Sequence, residues 1–137
     1  MIEETKNVMV ELAQAMAVLR PFLEDNAYVR KHVLIDYNGN DSVFLPRFTA
    51  LQDAASDILA SEGVSFEVEN RDGLPDIFIN GVCEAMYKLF LFFHEDPSIR
   101  GVILARYRGG TDGVTFLAEF DSVRRALWQG YQRMFRQ

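Results

Sequence analysis

Apolar and polar positions alternate with two different periods along the chain. From Glu3 to Leu19, Val8, Leu12, Ala15, Met16 and Leu19 follow helical spacing, Glu3 and Glu4 favour the positive end of the dipole, and Pro21 marks the expected end. From Arg47 to Ser61, Phe48, Leu51, Ala55, Ile58 and Leu59 share one face, with Asp53, Ser56 and Asp57 opposite and Gly63 as a stop. Val82 to Glu95 is apolar nearly all round, which predicts a buried central helix. A last helix is expected to begin at Asp121 or Ser122, either a good N-cap, and to run to Gln137.

Between these segments lie short apolar runs of strand length. His32–Tyr37 and Ser42–Leu45 flank Asn38-Gly39, a hairpin-turn signal; Val64–Glu69 alternates with period two and Asp76–Asn80 returns after Asn70–Pro75. Gly101–Tyr107 and Val114–Phe120 flank a loop containing Gly109, Gly110 and Gly113. The predicted order is an N-terminal helix followed by three ββα units beginning near Val33, Val64 and Gly101. That is a single α+β domain over residues 1–137, with a mainly antiparallel sheet packed by helices. No residue-level repetition is visible between those three units.

Composition is ordinary for a globular domain, with 49% hydrophobic and 25% charged residues, apart from eleven Phe that point to an aromatic core or interface. No signal-peptide pattern or membrane-length apolar run is read, and one cysteine excludes an internal disulfide framework, so a cytoplasmic, disulfide-free protein is expected. The net charge of −6 is uneven: residues 1–120 hold ten Lys/Arg against nineteen Asp/Glu, and residues 121–137 hold four Arg against one Asp. An acidic body disfavours nucleic acid or an anionic membrane and would steer a basic protein partner.

Candidate chemistry is sparse. Asp36–Ser42 has oxygen side chains at alternate positions, but Asp41 stands where a calcium loop needs Gly and Arg47 where it needs a closing Glu, which leaves a plain hairpin turn. Cys83 and His94 lie about 16 Å apart along one helix and cannot pair; Cys83 reads as a core residue and His94 as a complement to a helix C-terminus. Arg100, Arg106, Tyr107 and Arg108 beside glycines could hold a phosphate, but read better as a hairpin with solvent-facing Arg. No nucleophile motif, phosphate loop, cofactor box or metal signature is present, so the reading leans away from an enzyme.

The C-terminal segment is the most informative. Val123, Leu127, Tyr131 and Met134 form a core-facing stripe, while Arg124, Trp128, Tyr131 and Phe135 run along a flank in residue types that dominate binding hot spots. The expectation is a small binding protein that occupies a partner's surface, as an inhibitor, immunity-type neutraliser or adaptor does, or that pairs with a second copy. Asp53, Asp57, Glu67, Glu69, Asp72 and Asp76 would steer the partner and the aromatic flank would hold it. The alternative is a ligand-sensing domain with a small molecule beside the Phe-rich helix; a small enzyme comes third.

Overall fold

In the computed structural model, which describes residues 2–35, 37, 41–68, 73, 76–107 and 113–135, every regular element among these residues is a helix. Six helices follow one another among the described residues: α1 (Glu3–Asp25), α2 (Ala27–Leu34), α3 (Asp41–Ser61), α4 (Asp76–Glu95), α5 (Pro97–Arg106) and α6 (Gly113–Phe135). No strand occurs among the described residues, which overturns the α+β expectation, its antiparallel sheet and its three ββα units.

Each expected strand has a specific correction. The run from His32 is the last turn of α2, and Ser42–Leu45 the first turns of α3. Asp76–Asn80 opens α4, Gly101–Arg106 completes α5, and Val114–Phe120 is the first third of α6, which therefore starts well before Asp121. Of the expected strands only the Val64–Val68 stretch lies wholly outside the helices, and it has no regular secondary structure. The expected turns at 38–40, 70–75 and 108–112 lie largely outside the described residues. So do Asp36 and Asn38–Asn40 of the calcium-like run, whose Asp41 and Ser42 begin α3. Pro21 does not end α1, and Pro46 lies within α3; both rings face outward, where a helix tolerates the missing N–H at some local cost.

The misreading has a physical cause: a short β-branched run is ambiguous until its inward positions are known. Those positions are Val29 and Val33 in α2, Ile99 and Ile103 in α5, and Phe116, Phe120, Val123 and Leu127 in α6, each set spaced by three or four. The capping signals agree with helix. Asn26 Oδ1 accepts from the N–H groups of Tyr28 (3.0 Å) and Val29 (3.2 Å), and Asp96 Oδ1 accepts from Ser98 N–H (2.9 Å) with Pro97 at the first helical position.

The two triplets α1–α3 and α4–α6 repeat one another. Ala15, Met16, Leu19, Phe22, Arg30, Leu34 and Tyr37 recur 70 residues later as Ala85, Met86, Leu89, Phe92, Arg100, Leu104 and Tyr107. In the third helix the offset is 72, and Phe44, Leu45, Phe48 and Ala54 recur as Phe116, Leu117, Phe120 and Ala126. Burial follows the same register. Every buried position of α4 and α5 matches a buried position of α1 or α2, and buried Phe44, Phe48, Leu51 and Ile58 to Leu59 face Phe116, Phe120, Val123 and Gly130 to Tyr131. Even the arginines repeat: Arg30 donates to the carbonyls of Leu23 (3.0 Å) and Glu24 (2.7 Å), closing the end of α1, and Arg100 donates to those of Phe93 (2.9 Å) and His94 (3.3 Å), closing α4.

The halves are interlocked rather than stacked in series. α1 packs on α4, α3 reaches across to α5, and α6 reaches across to α2. That reciprocal exchange is what a two-fold relation produces. One core cluster spans both halves, and within the second Phe93 meets Phe116 at 5.8 Å and Phe120 at 5.7 Å between ring centroids. Full burial of each such ring stabilises by roughly 1.5–3 kcal/mol. α4 is long and apolar enough to cross a membrane by length and composition, yet Ile79, Val82, Met86, Leu89 and Phe93 are buried within this core.

Gly130 sits inside α6, where glycine costs about 1 kcal/mol relative to alanine. A Cβ there would lie 3.0 Å from the Cα and Cγ2 of Val33, so the missing side chain is what lets α6 approach α2. Gly130→Ala is expected to lower stability by roughly 1–3 kcal/mol despite its better helix propensity. Urea denaturation followed by circular dichroism measures this, and a stabilised variant would contradict the close approach.

Candidate functional site

Two surfaces concentrate polar or aromatic groups. The first lies where the halves meet. Tyr37 follows α2 and Tyr107 follows α5, each turned inward by an edge-to-face contact with the first inward ring of the next helix: Tyr37 on Phe44 and Tyr107 on Phe116, both at 5.0 Å. Their hydroxyls reach equivalent positions in α3 and α6 that carry opposite charges. Arg47 Nη1 donates to the Tyr37 hydroxyl, the Tyr107 hydroxyl donates to Glu119 Oε2 (2.9 Å), and Arg47 Nη2 lies 3.3 Å from Glu119 Oε1.

A cleft of about 680 Å³ opens beside this cluster, lined in part by Arg20, Glu24, Leu45, Arg47, Asp53, Tyr107 and Glu119. None of the residues named here belongs to the Phe-rich helix, beside which the ligand-sensing alternative placed its small molecule; in that helix Phe93 packs on Phe116 and Phe120. The cleft's charges are largely matched within the chain, since Arg20 Nε bonds Glu24 at 2.7 Å and Arg47 bonds Glu119.

The second surface runs along α4 and α6. Arg124 is held by Asp121 (2.7 Å) and its guanidinium lies over the Tyr87 ring, 5.5 Å from the centroid. Trp128 stacks on Tyr131 at 5.5 Å, and Tyr131 meets Phe135 at 5.7 Å. The four flank residues thus form one continuous row. Tyr131 is buried within it, Trp128 is half-buried, and Phe135 is 40% exposed. The row continues onto α4 through Tyr87, 51% exposed, and Leu91, 38% exposed. Tyr87 and Leu91 are not legible as surface residues in the sequence, because the helix is apolar nearly all round and leaves only Glu84, Lys88 and Glu95 as evident outward positions. The i, i+4 spacing of Tyr87 and Leu91 was the available signal.

Of the acidic residues expected to steer a partner, Asp57, Glu67 and Asp76 are exposed and Asp53 lines the cleft, while Glu69 and Asp72 lie outside the described residues. They are not gathered on the aromatic row. Arg100 is committed to the end of α4, so it does not join Arg106 in an anion site. No group of three or more metal-ligating side chains occurs among the described residues. Comparison with known protein families, curated proteins and solved structures returned no match.

Two groups are expected to ionise late. Burial pushes the Cys83 thiol up from 9.0 to about 12, with Arg124 opposing and Glu84 adding to the shift. Burial and the hydrogen bond to Glu119 hold the Tyr107 phenol well above its ordinary value of 10.0. Both pKa values are raised on folding, so the unfolded chain loses these protons first, and stability falls as pH rises above about 9. Urea midpoints measured across alkaline pH are expected to decline, less steeply for Cys83→Ala, and above about pH 10 less steeply for Tyr107→Phe. A flat wild-type profile would contradict the burial of both groups.

Proposed function

We propose that this protein acts by binding a protein partner through the face shared by α4 and α6, in the manner of an inhibitor, immunity-type neutraliser or adaptor. The observation that carries the reading is the row of exposed Leu91, Tyr87 and Phe135 with half-buried Arg124 and Trp128. Tyr and Trp lose little side-chain freedom relative to the area they bury, and with Arg they dominate interface energetics. Here they are already ordered by stacking on one another, so an arriving partner has little left to immobilise.

The chemistry of the remaining groups supports the same reading. The buried Cys83 thiol is a poor nucleophile at neutral pH. The Arg47–Glu119 cluster satisfies itself and offers no free general base. Exposed Asp57, Glu67 and Asp76 would steer a basic partner. A small-molecule role has one observation in its favour, the size of the cleft, but a ligand there would compete with ion pairs already formed.

The test uses residues that the fold does not need. Replacing exposed Tyr87 and Phe135 together by Ala is expected to leave the helical spectrum and denaturation midpoint nearly unchanged. The same variant should weaken a partner recovered from the native host by about 2–4 kcal/mol, read by calorimetry or interferometry. Undiminished binding would remove this face as the interface.

A further inference from the structure

The two halves match position by position, but their grooves are not filled alike. In the first half α3 ends at Ser61, Gly63 follows with a φ of 73°, and Val64 N–H donates to the Leu59 carbonyl at 2.9 Å. The non-helical segment 64–68 then passes from α3 to α1. Val64 and Phe66 pack partly buried against the core, and Gln14 Nε2 donates to the Glu67 carbonyl at 3.3 Å. Lys6 Nζ, 3.8 Å from Glu62, holds the start of the crossing. The chain thus lays its own peptide over the α1–α3 groove.

The same offsets carry Ala13, Gln14 and Ala17 to Cys83, Glu84 and Tyr87, and Gln52 and Ser56 to Arg124 and Trp128. Those five, with Lys88, line a groove of about 260 Å³ between α4 and α6. No segment among the described residues crosses it. The walls have diverged in one direction: Ala17 and Ser56 are replaced by Tyr87 and Trp128, which deepen the groove and make it aromatic.

We propose that the α4–α6 groove takes an extended peptide segment of a partner protein, seated as Val64–Val68 is seated on the first half. This rests on the reading that the α4–α6 face is the partner surface. An aromatic or large aliphatic side chain of the peptide takes the part of Phe66, entering between Tyr87 and Trp128 above Cys83. The polar contact is inverted: where Gln14 donates to a peptide carbonyl, Glu84 can only accept, and it takes a peptide N–H. Arg124 at the rim is held by Asp121, whereas Lys88, one turn along from Glu84, is exposed beside the groove. Its ammonium selects a peptide with a carboxylate beside its apolar residue.

The probe is a library of short random peptides displayed against the full chain, with Trp128, the single tryptophan, reporting occupancy by its emission. The expected result is enrichment of peptides that pair a large apolar residue with an acidic one and change the Trp128 emission. Tyr87→Ala and, separately, Lys88→Glu should each weaken the selected peptides about tenfold while leaving the helical spectrum intact. The proposal is overturned if no peptide is enriched over the bare support, or if enriched peptides leave the Trp128 emission unchanged. Failure here with a partner that still responds to Tyr87 and Phe135 would leave the face standing as a surface for a folded partner; peptides that bind while the partner ignores both residues would remove the broader reading instead.

Discussion

The pairing of Arg47 with Glu119 is the contact on which the architecture turns. These residues occupy the same place in the two repeats, so a strictly duplicated chain would set two like side chains against each other. Opposite charges at equivalent positions instead let the repeats meet, with Tyr37 and Tyr107 supplying matched hydroxyls behind them. An ion pair that is only partly buried contributes modestly by itself. Its place between Tyr37–Phe44 and Tyr107–Phe116 gives it a larger role, because it orients the two aromatic corners from which α3 and α6 set out across the molecule.

From that junction the remaining structure follows by packing. α3 must lie on α5 and α6 on α2, so neither triplet closes a core alone, and the short helices α2 and α5 are stable only as parts of the whole. Repetition of the buried register also explains where function can sit. Outside the shared core, Ala17 and Ser56, neither of them fully buried, correspond to Tyr87 and Trp128. One groove is covered by the connecting segment, and its counterpart has become aromatic.

Much of the helical content was legible wherever the apolar stripe was long. The periodicity of Val8 to Leu19, of Phe48 to Leu59 and of Val123 to Tyr131 places these residues in helices, and Gly63 stops α3 as expected. The strands were misread because Val33-Leu34-Ile35 and Val102-Ile103-Leu104 are continuous apolar runs too short for either period to declare itself. The corrective signal was present at Asn26 and in Asp96-Pro97, which are helix starts. The repeat was missed because it was sought between units of about 30 residues, on the premise of three similar units; at 70 residues Arg30 and Tyr37 align with Arg100 and Tyr107 without a gap. The aromatic row from Arg124 to Phe135 was visible from spacing alone, whereas its continuation onto α4 required knowing which side of that helix faces outward.

The central claim, that the two repeats are related by a two-fold and that Arg47 and Glu119 meet from equivalent positions in it, is tested most directly by exchanging their charges. Arg47→Glu alone or Glu119→Arg alone sets like charges together and should cost roughly 1–3 kcal/mol in urea denaturation. In the combined exchange, a glutamate at 47 can accept from Tyr37 as Glu119 accepts from Tyr107, and an arginine at 119 can donate to Tyr107 as Arg47 donates to Tyr37. The double variant is therefore expected to recover most of the loss. If its destabilisation instead equals the sum of the two single variants, the contact does not join equivalent sites, and the two-fold account is wrong.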